Sequence, residues 1–369
     1  MTSRPALVVG LMSGTSLNGM EAALVRFGGP TRAELLGFST IPYSADEREV
    51  ILGAIASGGT RDLALLHGRI GELAALAVEA VLEQTRVRPS ELDCIALHGQ
   101  TVWHEPPAVS WQLGEPAGLA ERFGVRVVNN FRARDVVAGG QGAPLVPIAD
   151  MLLFGHPERP RVLLNIGGMA NLTFVPRRAE DAGVFAFDTG PGMALIDAVA
   201  RMVDPALPYD VDGRLASVGA VDRPLLEDLL SDPFFTADPP KSTGRERFGS
   251  LLAERIHRKA GGPDGVRTAM ELTAQSIALS VARWIPRGTE VVASGGGSRH
   301  PTLYTRLQAL LAECGSPLIR FDQLFFDGDA KEAVAFALLG YLTIHGQPGN
   351  IPGATGARGP RVLGQITPA

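Results

Sequence analysis

The chain has 369 residues, of which 45% are hydrophobic, so it is long enough for about two globular domains and is too apolar for a disordered protein. Its net charge is −5, and no run of like charges provides the basic stripe of a nucleic-acid-binding protein. The 44 glycines exceed the usual share, lack a collagen-like period and are concentrated in short loops between apolar segments.

Other sequence features restrict the location and the kind of site. Two cysteines, Cys94 and Cys314, are too few for a disulfide framework and favour a reducing cytoplasm. No apolar stretch approaches the ~20 residues of a membrane span, and the first residues do not form a signal peptide. The histidines form no His-Glu-x-x-His motif, so no metal site built by the protein alone is expected, and no lysine completes a P-loop.

The first half of the chain begins with apolar runs typical of strands. Strands are predicted over residues 6–12, 21–27, 33–41, 93–97, 110–113 and 125–128. The first two are joined by a Gly/Ser/Thr/Asn turn, which is typical of a hairpin. Between the third and fourth runs, apolar residues recur with a 3.6-residue period over 63–82, which predicts a helix with one buried face.

The second half repeats this pattern. Strands are predicted over residues 161–166, 171–175, 184–187 and 290–293. Helices are predicted from about residue 194, over 271–284 and after Pro301, with an amphipathic region over 245–259. Each half thus opens with strand, glycine turn and strand, which indicates a duplicated β-then-α domain.

We therefore predict an α/β protein of two domains. The N-terminal domain is expected over residues 1–140 and the C-terminal domain over 141–345. The tail, 346–369, is rich in Gly, Pro and Ala and is predicted to be irregular or to pack back on the first domain.

Three glycine loops follow apolar strands, at residues 13–19, 188–192 and 294–297. A backbone without Cβ atoms approaches a phosphate closely, and successive N–H groups form an anion cradle. Each loop taken alone also fits a simple turn or a strand–helix corner. Their recurrence in two similar halves favours nucleotide binding, although the Rossmann Gly-x-Gly-x-x-Gly pattern is absent.

Two carboxylates are candidates for chemistry. Asp188 ends a predicted strand beside a glycine loop, where it is either a general base or a turn-forming cap. Glu332 lies early in an otherwise apolar predicted helix, and a favourable interaction with the helix N-terminus also explains it.

Polar residues at two other strand ends suit a sugar or another polyol. His98-Gly-Gln-Thr101 follows a predicted strand, and its histidine is either a ligand contact or a structural residue. Arg132 and Asp135 form either a local ion pair or a substrate clamp.

Taken together, these motifs resemble the anhydro-N-acetylmuramic acid kinases of peptidoglycan recycling. The family pattern Gly-Leu-Met-Ser-Gly-Thr-Ser-x-Asp-Gly is matched by residues 10–19 except at position 18. Similar segments follow in family order at residues 98–101, 131–135, 138–147, 165–171, 187–192, 239–244, 295–297 and 332–336. The resemblance covers nearly the whole chain.

The resemblance implies two ribonuclease-H-like domains of the actin/hexokinase/Hsp70 type, with ATP in the cleft. It implies a cytoplasmic homodimer that uses ATP, Mg²⁺ and water to open a 1,6-anhydro amino sugar and phosphorylate its O6, giving N-acetylmuramate 6-phosphate. In this interpretation Asp188 activates the water, Glu332 holds the sugar, residues 14–21 bind phosphate and residues 295–297 lie towards the adenosine. No nucleic-acid or membrane partner is expected.

The residue patterns and the resemblance together predict the following site. The catalytic residue is Asp188. Nucleotide contacts are predicted for Ser13, Gly14, Thr15, Ser16, Leu17, Asn18, Gly19, Met20, Glu21, Gly190, Gly192, Gly295, Gly296 and Gly297. Sugar contacts are predicted for His98, Gln100, Thr101, Arg132, Asp135 and Glu332.

The chain departs from the family pattern at four positions. Asn18, Glu21 and Asn130 replace aspartates, and Met193 replaces an asparagine. Asn18 loses a charge that could hold hydrated Mg²⁺, whereas Glu21 keeps its charge on a longer arm. These changes leave two alternatives open: a non-catalytic ATP-binding sensor of cell-wall fragments, or a kinase for a different sugar.

Overall fold

The structure is a computed structural model that describes residues 4–14 and 17–369. Its strands are β1 (Ala6–Ser13), β2 (Gly19–Gly29), β3 (Arg32–Pro42), β4 (Cys94–Glu105), β5 (Val109–Leu113), β6 (Val127–Asn129), β7 (Arg161–Ile166), β8 (Met169–Val175), β9 (Phe185–Pro191), β10 (Glu290–Ser294), β11 (Leu318–Arg320) and β12 (Gln365–Thr367). Its α-helices are α1 (Ala45–Ser57), α2 (Thr60–Thr85), α3 (Pro116–Phe123), α4 (Ala133–Val137), α5 (Pro147–Ala149), α6 (Met193–Val203), α7 (Arg214–Val218), α8 (Arg223–Leu230), α9 (Arg245–Phe248), α10 (Ser250–Ala260), α11 (Gly262–Trp284), α12 (Pro301–Glu313), α13 (Lys331–Ile344) and α14 (Pro352–Thr355).

The chain divides into two compact units. The first unit contains residues 1–154 and 329–369, and the second contains residues 155–328. These limits differ from the predicted domains, because the last long helix, α13, packs on β1, β2 and β4 of the first unit. The tail also belongs to the first unit, where β12 pairs antiparallel with β6.

The sheet of the first unit has the order β12-β6-β4-β1-β2-β3, with β5 paired to β4. β1 is antiparallel to β2 and parallel to β4, and β4 is parallel to β6. Alternate residues of β1 point to opposite faces. Val9 and Leu11 join the apolar core that includes α2, whereas Gly10 faces α13, where an added Cβ would overlap the carbonyl oxygen of Ala333.

The sheet of the second unit has the order β11-β10-β7-β8-β9. β7–β8 and β8–β9 are antiparallel, whereas β7–β10 and β10–β11 are parallel, which matches the pairing of β1–β2, β2–β3, β1–β4 and β4–β6 in the first unit. Its core packs the sheet against α6, α10, α11 and α12. The shared strand order confirms the predicted duplication of a ribonuclease-H-like α/β domain.

The structure confirms the predicted hairpin strands, the strand over 161–166 and the helix within α2. Two motifs predicted to follow strands lie inside them instead. β4 continues through His98-Gly-Gln-Thr101 to pair with β5, and β9 continues through Asp188 to Pro191 along β8. Backbone pairing with a neighbouring strand, which local patterns do not report, extends both strands.

Candidate active site

In the first unit, most of the predicted site residues lie where the parallel pairing of β1, β4 and β6 ends. β1 and β4 are adjacent, with Ser13 opposite Gln100. The Ser13 hydroxyl donates to Gln100 Oε1 at 2.5 Å and lies 2.6 Å from the Tyr43 hydroxyl. Ser13 is only 1% exposed, so its hydroxyl fixes the start of the loop. Thr101 accepts a hydrogen bond at Oγ1 from Gln112 Nε2, at 3.3 Å.

The sequence predicts that the loop after β1 binds phosphate. The Leu17 N–H donates to the Gly14 carbonyl at 3.2 Å, and Leu17 has a φ of 54°, which is unusual for a residue with a side chain. Leu17 and Met20 are buried, so only their backbone is available to a ligand, whereas Asn18 is exposed. The predicted contacts of Thr15 and Ser16 lie outside the described residues.

Gly19 and Glu21 follow on β2. A Cβ at Gly19 would overlap the carbonyl oxygen of Ile41, so glycine is needed for the close pairing with β3. Burial, together with the nearby carboxylates of Glu332 and Asp329, raises the pKa of Glu21 to about 8. Glu21 is therefore mostly protonated at neutral pH unless a cation offsets this negative field.

Glu332 lies in the first turn of α13, as predicted. Burial raises its pKa, while the positive charges of Lys331 and Arg132 oppose that rise. Lys331 itself forms a buried ion pair with Asp150 at 2.8 Å. Glu332 thus lies within the electrostatic field of the Lys331 and Arg132 cations.

The sequence predicts sugar contacts for His98 and Arg132, and the structure brings these residues together. Arg132 donates from Nε and Nη2 to His98 Nε2, at 3.1 and 2.9 Å. His98 Nδ1 lies 2.7 Å from the carbonyl oxygen of Gly99. The two side chains form one polar unit, with His98 inside β4 and Arg132 just after β6.

Both carboxylate oxygens of Asp135 accept hydrogen bonds from other groups of the protein. It is 0% exposed. Oδ1 accepts from Asn350 Nδ2 and Thr355 Oγ1, both at 2.7 Å, and Oδ2 accepts from the Gly142 N–H at 2.8 Å. The sugar contact expected for Asp135 stays a prediction, and these contacts favour a structural role that joins the 138–142 loop to the tail.

In the second unit, Asp188 is held by a segment that lies more than fifty residues away in sequence. Its N–H donates to the Lys241 carbonyl at 3.0 Å, and its Oδ2 accepts from the Thr243 N–H at 2.8 Å. Burial raises the pKa of Asp188, the Thr243 N–H lowers it and Glu246 raises it, and together they place this pKa at about 6. Asp188 is thus mostly a carboxylate at neutral pH and is basic enough to take a proton.

The sequence predicts that Gly190 and Gly192 bind nucleotide. Gly190 has a φ of 145°, and an added Cβ would lie 2.8 Å from the Phe235 ring. The N–H groups of Gly192 and Met193 donate to the carbonyls of Gly168 and Gly167, at 3.0 and 2.8 Å. Nucleotide contact by Gly190 and Gly192 stays a prediction, and these contacts favour a role in strand–helix packing.

In the loop 295–297, the middle glycine is exposed and the two flanking glycines are tightly packed. An added Cβ would lie 2.6 Å from Asn165 Oδ1 at Gly295 and would overlap Ile166 at Gly297. At Gly296 it would meet open space. Gly296 is therefore the position of this loop best placed for a ligand.

The residues that hold Asp188 had no predicted role. Lys241 Nζ donates to the Phe234 carbonyl at 2.9 Å and lies 4.7 Å from the Phe234 ring centroid, which anchors the segment. The Pro239-Pro-Lys-Ser-Thr-Gly244 motif was the available signal, but nothing local in it indicates Asp188 as the partner.

Among residues 4–14 and 17–369, no group of three or more His, Cys, Asp or Glu side chains is arranged to hold a metal ion. No described helix has the length and apolarity needed to cross a membrane.

The duplicated sheets place the chain in the actin/hexokinase/Hsp70 fold class. A sequence profile described as anhydro-N-acetylmuramic acid kinase matches residues 6–369, and the chain belongs to this family. A relative of that name from Gloeobacter violaceus is 42% identical over 99% of both chains. Another, from Caldanaerobacter subterraneus subsp. tengcongensis, is 40% identical over 98% of this chain and 96% of its own. Among solved structures, a ROK hexokinase from Thermus thermophilus has a TM-score of 0.41 at 17% identity, covering 92% of this chain and 99% of that one.

Proposed function

We propose that this protein is an ATP-dependent kinase that opens 1,6-anhydro-N-acetylmuramic acid with water and phosphorylates its O6. The products are N-acetylmuramate 6-phosphate and ADP, and the reaction belongs to peptidoglycan recycling. The family match over residues 6–369 carries this proposal. The placement of Asp188 supports it, because a partly buried, fixed carboxylate is the group that the reaction needs.

Asp188 is the general base in this proposal. With Oδ2 fixed by the Thr243 N–H, Oδ1 is free to accept a proton from water. The water oxygen bonds to C1 of the sugar, the C1–O6 bond breaks, and the electron pair remains on O6. O6 then takes the γ-phosphoryl group as the bond to the ADP oxygen breaks, and Asp188 releases its proton to solvent.

ATP and Mg²⁺ are the proposed cosubstrate and cofactor. The oxygen donors of Asn18 and Glu21 suit Mg²⁺, which prefers oxygen and retains several waters. The carboxyl groups that raise the pKa of Glu21 form a negative field that a divalent cation would offset. When bound, the ion neutralises phosphate charge, while the backbone of residues 14–21 and Gly296 contacts the nucleotide.

The proposed location of the protein is the cytoplasm, and its proposed oligomeric state is a homodimer. The free cysteines agree with a reducing cytoplasm, since Cys94 is buried and no disulfide forms among the described residues. The protein is a homodimer in this proposal, and light scattering on the purified chain tests that state.

The test is incubation of the purified chain with Mg-ATP and 1,6-anhydro-N-acetylmuramate, followed by mass spectrometry. We expect a phosphosugar in the wild type and a loss of about 10²–10⁴-fold in Asp188→Asn, the range of a general base. Asp181→Asn is the matched control, because Asp181 is an exposed aspartate of the same unit. ATP binding without turnover of any anhydrosugar would instead support the sensor alternative.

A further inference from the structure

The Thr243 hydroxyl is a buried polar group without a hydrogen-bond partner. Among the described residues, no group donates to or accepts from its Oγ1, although this atom is shielded from solvent. By contrast, the buried hydroxyl of Thr189, the residue after Asp188, donates to the Ala170 carbonyl at 3.1 Å. Burying a hydroxyl without a hydrogen bond is unfavourable, and native proteins rarely do so. The Thr243 hydroxyl is therefore a candidate for a role in the reaction.

The same residue holds the proposed general base. The Thr243 N–H donates to Asp188 Oδ2 at 2.8 Å. Within a threonine, Oγ1 is three bonds from the backbone nitrogen, so the two atoms are about 3–4 Å apart in any staggered rotamer. The hydroxyl of Thr243 thus lies in the immediate surroundings of the Asp188 carboxylate.

Two residues of one short segment are held against Asp188. The Asp188 N–H donates to the Lys241 carbonyl at 3.0 Å, and the Thr243 N–H makes the second contact. Lys241 is anchored in turn, because its Nζ donates to the Phe234 carbonyl at 2.9 Å and lies 5.6 Å from the centre of the Phe187 ring. The protein itself therefore fixes Thr243 relative to Asp188, as the orientation of a reactant requires.

We propose, on the basis of the proposed function, that the Thr243 hydroxyl orients the water that attacks C1 of the sugar. The water donates one hydrogen to Asp188 Oδ1 and the other to Thr243 Oγ1, because a hydroxyl oxygen can accept a hydrogen bond. A lone pair of the water oxygen is then directed away from both groups, towards C1.

The proton balance of this step involves Asp188 alone. As the bond between the water oxygen and C1 forms and the C1–O6 bond breaks, the electron pair stays on O6 and Asp188 takes one proton of the water. Thr243 neither gains nor loses a proton. Its hydroxyl acts only by holding the water in the attacking orientation.

The test is the steady-state kinetics of the purified full chain with Mg-ATP and 1,6-anhydro-N-acetylmuramate. Thr243→Val removes the hydroxyl but keeps the N–H that holds Asp188, whereas Thr243→Ser keeps both groups. Thr236→Val is the matched control, because Thr236 is an exposed threonine of the same unit whose hydroxyl already donates to the Pro233 carbonyl, at 3.2 Å.

We expect Thr243→Val to lower kcat by about 10–100-fold, with little change in the KM for sugar or ATP, since orientation and not binding is lost. Thr243→Ser should recover most of this activity, and Thr236→Val should match the wild type. The acid limb of kcat/KM should keep its midpoint in Thr243→Val, because the N–H on Asp188 is retained. The melting temperature should equal or exceed that of the wild type, because an unpaired buried hydroxyl is removed.

Several results would overturn the inference while leaving the proposed function in place. They are a wild-type kcat in Thr243→Val, a loss confined to KM, and equal losses in Thr243→Val and Thr243→Ser. A lower melting temperature together with a shifted acid limb in Thr243→Val would assign this residue a structural role and would also overturn it. A wild type that does not turn over the anhydrosugar would overturn the proposed function, and this inference with it.

Discussion

Three local effects set the pKa of Asp188: burial, the hydrogen bond from the Thr243 N–H and the negative field of Glu246. Burial outweighs the hydrogen bond, so the pKa of Asp188 is raised from 3.8 to about 6. In the first unit, burial and the neighbouring carboxylates both raise the pKa of Glu21, and no hydrogen bond from a described residue opposes them. At neutral pH, Asp188 is therefore mostly ionised, as a general base must be, whereas Glu21 is mostly protonated until a cation binds beside it.

The first prediction concerns the pH dependence of the reaction. A base must be deprotonated, so kcat/KM is expected to fall about tenfold per pH unit below a midpoint near the Asp188 pKa of about 6. Glu246→Gln removes a charge that raises this pKa and should move the midpoint to lower pH. Glu254→Gln, an exposed glutamate of α10, is the control and should leave it in place. An acid limb that Glu246→Gln does not shift would mean that another group is being titrated.

The second prediction concerns Asn18, where the family pattern has aspartate. Asn18→Asp restores a charge beside the proposed Mg²⁺ and should lower the Mg²⁺ concentration that gives half-maximal activity, by about threefold to tenfold. Titration of MgCl₂ at fixed ATP measures this. An unchanged metal dependence would place the side chain of residue 18 outside the hydration shell of the ion.

At the scale of elements, glycines set the distances that the site depends on. α13 approaches β1 closely at Gly10, and on the helix an added Cβ at Gly340 would lie 2.6 Å from the Cβ of Ala96 on β4. This contact fixes the start of α13, where Glu332 lies. The sequence predicts the helix and the strand, but it does not reveal that they touch through these glycines.

The third prediction tests this contact. Gly10→Ala forces a methyl group into the backbone of α13 and should cost about 1–3 kcal/mol of the free energy of unfolding. Gly68→Ala in α2 is the control, because its Cβ meets open space and alanine favours a helix interior by about 0.5–1 kcal/mol. Urea unfolding measures both. A Gly10→Ala variant as stable as the wild type would show that α13 shifts without cost.

The spacing of hydrophobic residues and the order of the motifs predict the strands and the long helices, because these elements depend on residues that are close in sequence. α1 is missed, since it leaves Val50 and Leu52 exposed and has no clean apolar stripe, although Ser44 and Glu47 form a capping box at its start. Long-range partners are not predictable in the same way. The hydrogen bond from Thr243 to Asp188 joins residues that are 55 positions apart in sequence, and the one from Asn350 to Asp135 joins residues that are 215 positions apart.

At the scale of the whole molecule, one strand order is used twice with different site residues. In the first unit, the loop after β6 supplies Arg132, the antiparallel strand β2 supplies Glu21 and the start of α13 supplies Glu332. In the second unit, the antiparallel strand β9 supplies Asp188, fixed by the 241–243 segment. Duplication thus explains the fold, and the differences between the halves supply the chemistry.

The central claim is that one reaction couples water attack at C1 to phosphorylation of O6, and the fourth prediction tests it with isotope labelling. The purified chain is incubated with Mg-ATP and 1,6-anhydro-N-acetylmuramate in ¹⁸O-labelled water, with Asp188→Asn as the control. We predict a sugar 6-phosphate that carries label at C1 and none in the phosphoryl group, and its loss in the variant. Label found only in inorganic phosphate, or a phosphosugar without label at C1 when analysed before anomeric exchange, would contradict the account.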